Sequence, residues 1–166
     1  MDAPTDRVAQ IMAEWARERP DLDVAPQGVI GRLHRLANHL REDLDAVYRR
    51  FDLSEGEFDV LATLRRAGAP FERTPGELTA STMVTTGAMT KRLDRLERRG
   101  LVTRRRSEAD GRGRVIALTS SGRGLIDEAF TAHIANEHRL VDEALPTGQA
   151  AALEQLLAGW LARYES

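Results

Sequence analysis

Apolar residues recur at helical spacing along almost the whole chain, and the one clear departure is a short basic segment after residue 100. From Asp6 to Arg19, Val8, Ile11, Met12 and Trp15 share a face, and the text ERPDLDVAP behind them carries two prolines that end the helix. From Gln27 to Phe51, Ile30, Leu33, Leu36, Leu40, Leu44, Val47 and Tyr48 hold the 3.6-residue period over about six to seven turns. Ser54 and Glu57 form an S-x-x-E capping box that opens a helix through Arg66, with Phe58, Leu61 and Leu64 inward. Thr74-Pro75-Gly76-Glu77 is a second such box, with proline at the first helical position where its missing N–H costs nothing, and it predicts a short helix over Pro75 to Ser81. Thr85 or Thr86 then caps a helix to Arg99, stopped by Gly100, with Met89, Leu93 and Leu96 inward.

The period then changes. Leu101 to Arg106 and Arg114 to Leu118 have strand character, and Ala109-Asp110-Gly111-Arg112-Gly113 supplies the turn between them. Thr119-Ser120-Ser121-Gly122 caps a long helix to about Leu145, and after Pro146 a last helix carries Leu153, Leu156, Leu157, Trp160, Leu161 and Tyr164. Two helices joined by a short turn, the second basic on its outer face and followed by a hairpin, make a winged helix-turn-helix. The expected fold is therefore mainly α with a small β-wing, a single domain over residues 1–166.

Charge sharpens this reading. Between Lys91 and Arg114 ten basic residues face four acidic ones, a net +6 inside a chain of net charge −2. A field so concentrated suits a phosphate backbone, because each neutralised phosphate releases counterions. Thr86, Thr90 and Lys91 on the early turns of the basic helix are the expected base readers in double-stranded DNA, with Arg98 and Arg99 at phosphates. In the hairpin, Arg112 is expected in the minor groove, oriented by Asp110, with Arg114 beside it.

Composition removes other classes. At 166 residues and 42% hydrophobic content one core suffices. The chain has no cysteine, hence no disulfide and no thiol switch. MDAPTDRVAQ is unlike a secretory leader, and no stretch approaches the roughly 20 apolar residues of a membrane span, so a cytoplasmic protein is expected. His34 and His39, like His133 and His138, stand five apart and face different ways on a helix, which disfavours a metal site. No G-x-S-x-G, H-E-x-x-H or P-loop pattern occurs, so neither an enzyme nor a cofactor is expected.

The run RLDRLERRGLVTRRRSEADGRGRVIALTSSGRGL resembles the MarR family of transcription factors in its basic helix, L-E-x-x-G-L-V, D-x-R and L-T-x-x-G pattern, carried by Leu96, Glu97, Gly100, Leu101, Val102, Asp110, Arg112, Leu118, Thr119 and Gly122. The resemblance extends to the order of helices over nearly the whole chain. It implies a homodimer built from residues 1–51 and 120–166, a DNA-binding region over 54–119, and a pseudo-palindromic operator with a helix in each of two adjacent major grooves.

A narrower set, Trp15 within WARERPDLD, Asp59, Arg66 and Arg92, is similar to that of the family's urate-responsive branch, of the HucR and PecS type. There the Trp and the Arg matched by Arg66 hold the anionic purine, the Asp matched by Asp59 is displaced by its charge, and the Arg matched by Arg92 carries the movement to the DNA-reading helix. This implies a repressor released by urate or a related anion. Singly, each residue has an ordinary role as well: Trp15 as an interface aromatic, Asp59 and Arg66 as solvated charges, Arg92 as a phosphate contact. A regulator answering to another phenolic or carboxylate, and a constitutive DNA-binding structural protein with no effector, are the competing readings.

Overall fold

The computed structural model describes residues 6–82, 86–106 and 113–165. Among the described residues, seven helices and three short strands follow in the order α1 (Arg7–Glu18), α2 (Ala25–Arg49), α3 (Glu55–Arg66), β1 (Glu72–Arg73), α4 (Pro75–Thr82), α5 (Thr86–Arg98), β2 (Val102–Arg106), β3 (Arg114–Leu118), α6 (Ser120–Ala144) and α7 (Gln149–Leu161). They fall into two compact units, Met1–Asp45 and Ala46–Ser166, with the last turn of α2 belonging to the second. No described helix is long and apolar enough to cross a membrane.

In the first unit, Asp6 caps α1 by accepting from the Ala9 N–H at 2.8 Å, and the Arg32 Nε of α2 donates to the same carboxylate at 2.7 Å. Val8 is buried against Gly31. Trp15, by contrast, is 47% exposed.

The second unit holds the main core. Val60, Leu61 and Leu64 of α3 are fully buried together with Leu78 of α4, Leu96 of α5 and Ile126 of α6, so the inward stripes of four helices meet around α3. Both capping boxes form. Ser54 N–H donates to Glu57 Oε2 at 2.9 Å while Glu57 N–H donates back to Ser54 Oγ at 3.4 Å; Thr74 and Glu77 exchange the same pair at 2.7 and 3.2 Å.

The sheet is three-stranded, in the order β1-β3-β2, where the pattern predicts only the hairpin. The added strand pairs Glu72 with Ala117 and Arg73 with Ile116, antiparallel. Two residues are too few to show an alternation in sequence. β2 and β3 pair from Val102 opposite Leu118 to Arg106 opposite Arg114. Gly100, at φ +68°, ends α5 in the left-handed conformation that glycine adopts without strain, and its N–H donates to Glu97 O at 2.8 Å.

Candidate functional site

α5 presents two faces because its apolar residues repeat at three and four positions: Met89, Leu93 and Leu96 are buried, while Thr90, Lys91, Asp94 and Arg98 are exposed. Thr86 opens the helix. Lys91, Arg95 and Arg98, with Arg106 on β2 and Arg114 on β3, are the exposed cations of the described recognition helix and wing stem, and of these Arg95 is also engaged by carboxylates. Asp110 and Arg112, the expected wing-tip pair, and Thr85, one of the two expected caps, lie outside the described residues.

Half of the basic cluster is directed into the protein. Arg95 Nε lies 3.1 Å from Glu57 Oε1, and its Nη2 lies 3.2 Å from Asp52 Oδ1. Arg99 donates to Asp52 O at 2.6 Å and to Phe51 O at 3.2 Å, so it ties the end of the recognition helix to the loop before α3. Of the two expected phosphate contacts, Arg98 is exposed, whereas Arg99 is engaged by the protein's own carbonyls. Arg104 of β2 bonds to both Glu97 and Asp94, and its N–H donates to Glu97 Oε1 at 3.2 Å. Arg105 pairs with Glu72 of β1. The Arg104 pairs lock wing stem to recognition helix, and all of these pairs lower the free positive charge of the segment. Sequence reasoning missed them because Asp52 and Glu72 are distant in the chain and carry no periodic signal.

The expected effector residues lie in both units. Trp15 belongs to the first, on α1, whereas Asp59, Arg66 and Arg92 belong to the second. Arg66 is exposed and makes no hydrogen bond or ion pair with any described residue. It lines a cavity of about 390 Å³ together with Ala62, Arg65, Ile126, Asp127 and Phe130, between α3 and α6. The Arg65 Nε to Asp127 Oδ1 pair, at 2.7 Å, closes one side. Nearby, Tyr48, Phe58, Phe130 and His133 form an aromatic cluster in which Tyr48 stacks on Phe58 at 4.4 Å between ring centroids.

Asp59 sits on α3 two turns before Arg66, half-buried. Burial, and then the Glu55 carboxylate, push its pKa above the usual value of 3.8; Arg92, Arg66 and His133 oppose the rise. Two of the four candidates, Arg92 and Arg66, therefore act on the carboxyl group of a third. Because its folded pKa is raised, Asp59 favours the folded state only while protonated, and that contribution is lost as pH climbs through the folded pKa. Asp59→Asn is accordingly expected to raise the melting temperature at neutral pH, with the gain shrinking toward zero as pH falls below about 3.8. A loss of stability at neutral pH would show that Asp59 is instead held by its cations.

Arg92 points from α5 to the start of α3. Its guanidinium lies on Gly56, and Nη1 is buried without a hydrogen-bond partner among the described residues.

A capped short helix, a basic helix pinned on one side and open on the other, and a strand pair behind it constitute a winged helix-turn-helix DNA-binding protein. Comparison with known proteins agrees. The MarR family profile matches residues 51–113. The chain is 42% identical over 134 residues, 81% of either protein, to the HTH-type transcriptional regulator PecS of Dickeya dadantii. It is 31% identical over 129 residues to the multiple antibiotic resistance protein MarR of Escherichia coli, covering 77% of this chain and 88% of that one. The crystal structure of a mutant E. coli MarR complexed with operator DNA superposes with a TM-score of 0.67 at 28% identity, covering 89% of this chain and 97% of the other. The chain belongs to the MarR family and is a DNA-binding transcriptional regulator, not an enzyme.

Proposed function

We propose that this regulator is a cytoplasmic homodimeric repressor whose grip on a pseudo-palindromic operator is released by a small planar anion, urate or a related purine. The single observation that carries the reading is the position of Asp59, a half-buried carboxyl with no ion pair among the described residues, acted on by Arg66 at the cavity and by Arg92 on the recognition helix. An anion drawn to Arg66 raises the cost of the Asp59 charge, and whatever Asp59 does in response is felt by Arg92. The cavity suits such a ligand: Ile126, Phe130 and Ala62 offer an apolar surface, and the Arg66 guanidinium offers charge-assisted hydrogen bonds. The same apolar lining favours, as the second reading, an aromatic carboxylate in place of a purine.

Bases are read by Thr86, Thr90 and Lys91, phosphates are held by Arg98, and the wing, with Arg112, Asp110 and Arg114, enters the minor groove. Residues 1–51 and 120–166 supply the dimer contacts.

Titrating purified protein on its operator with urate tests the proposal. A tenfold loss of DNA affinity corresponds to about 1.4 kcal/mol of coupling between the two sites. Arg66→Ala is expected to keep operator affinity and lose the response, since the cation holds ligand and touches no DNA. No change in tryptophan fluorescence and no DNA release at millimolar urate would remove urate from the mechanism.

A further inference from the structure

We propose that Gly56 is a positioning residue for the recognition helix, serving as the seat on which Arg92 rests. The backbone of Gly56 does not call for glycine: it occupies the first turn of α3 behind an intact capping box, outside the left-handed region. What calls for glycine is Arg92. A Cβ at position 56 would stand 2.2 Å from Arg92 Cζ, 2.4 Å from Nε and 2.5 Å from Nη2, so the guanidinium lies flat where any other side chain would begin.

Arg92 differs from its neighbours in how it is held. Arg95 and Arg99 reach the same junction and are fixed by Asp52, Glu57 and the Phe51 carbonyl. Arg92 makes no hydrogen bond with any described residue, and its Nη1 is buried without an acceptor. It is retained by shape, on Gly56, and by the field of the Asp59 carboxylate. A half-buried cation with an unused donor, kept in place by contact and a distant charge, moves at less cost than one held by a bidentate pair. The C-terminal half of α5 is thus pinned firmly by Arg95 and Arg99, and its middle loosely by the seat. Displacements of α3 reach the DNA-reading turns through Arg92. This inference rests on the reading of Asp59 and Arg92 as the link from effector to DNA.

The test is a double-mutant cycle of Gly56→Ala and Arg92→Met, read on the DNA duplex that the unaltered protein selects from a random pool, at low salt so that every variant binds measurably. Gly56→Ala should fold normally, because the obstructing atoms are the end of a flexible side chain and alanine favours helix. Its melting temperature should not fall. It should nevertheless weaken operator binding about fivefold or more, the lower end of ordinary allosteric coupling. In the Arg92→Met background the same substitution should change affinity by less than about twofold, because the group it displaces is gone. Unchanged affinity in Gly56→Ala, or an equal loss in both backgrounds, overturns the proposal. Urate separates it from the effector reading: if urate never releases the unaltered protein, that reading fails while the operator cycle still decides the seat.

Discussion

Gly122→Ala is expected to destabilise the protein by about 3 kcal/mol, at the upper end of the cost of overpacking, and to lower its melting temperature by roughly 10 °C. A Cβ at Gly122 would lie 2.0 Å from the Leu101 carbonyl oxygen and 2.9 Å from its carbon. Backbone cannot rotate aside as a side chain can. That oxygen also accepts from the Thr119 N–H at 3.1 Å, and Thr119 Oγ1 lies 3.2 Å from it, so moving it breaks the joint between wing and α6 as well. The helix-propensity gain of alanine over glycine, about 1 kcal/mol, is too small to offset this. Gly124, two residues on in the same helix, has nothing within 4 Å of the corresponding position. Gly124→Ala should therefore stabilise, and thermal melts of the two variants shifting in the same direction would refute the account.

Gly122 also explains part of the L-T-x-x-G pattern. Thr119 caps α6 by accepting from the Gly122 N–H at 2.9 Å and donates to the Gly100 carbonyl at 2.7 Å, so the threonine joins the end of α5 to the start of α6 and the glycine allows that joint to close. The helices were legible because their determinants are local. The Ser54 to Glu57 and Thr74 to Glu77 boxes, the Gly100 stop and the Thr119 cap each act within a few residues, and each appears where the text places it. The site was legible only in outline. Position in the chain indicates that α5 is basic, but it does not say that Arg95 and Arg99 turn to Asp52 while Lys91 and Arg98 face out. That division depends on contacts more than forty residues apart. Gly56 was illegible for the same reason: its role exists only once Arg92 is placed over it.

Leu157→Asp is expected to give a folded monomer that has lost at least about 100-fold in operator affinity, the avidity that joining two half-site contacts supplies. Within one chain α7 buries no residue at all: Leu153, Leu156, Leu157 and Leu161 are 39, 72, 41 and 53% exposed. Together with Val141 of α6 and Leu145 just beyond its end, three of these, Leu153, Leu157 and Leu161, line an apolar groove of about 440 Å³. If the chain were a monomer, an aspartate at so exposed a place would change stability by no more than about 0.5 kcal/mol and leave DNA binding untouched. In a dimer whose partner covers α7, the same carboxylate is enclosed without a counter-ion, at a cost of several kcal/mol in each protomer. The two cases separate cleanly in sedimentation velocity and in titration against the selected duplex. Retention of both the dimer and the affinity would place the interface away from α7, whereas a monomer with an intact helical spectrum would show that the last helix exists to meet its twin and that one half-site alone cannot hold the protein on DNA.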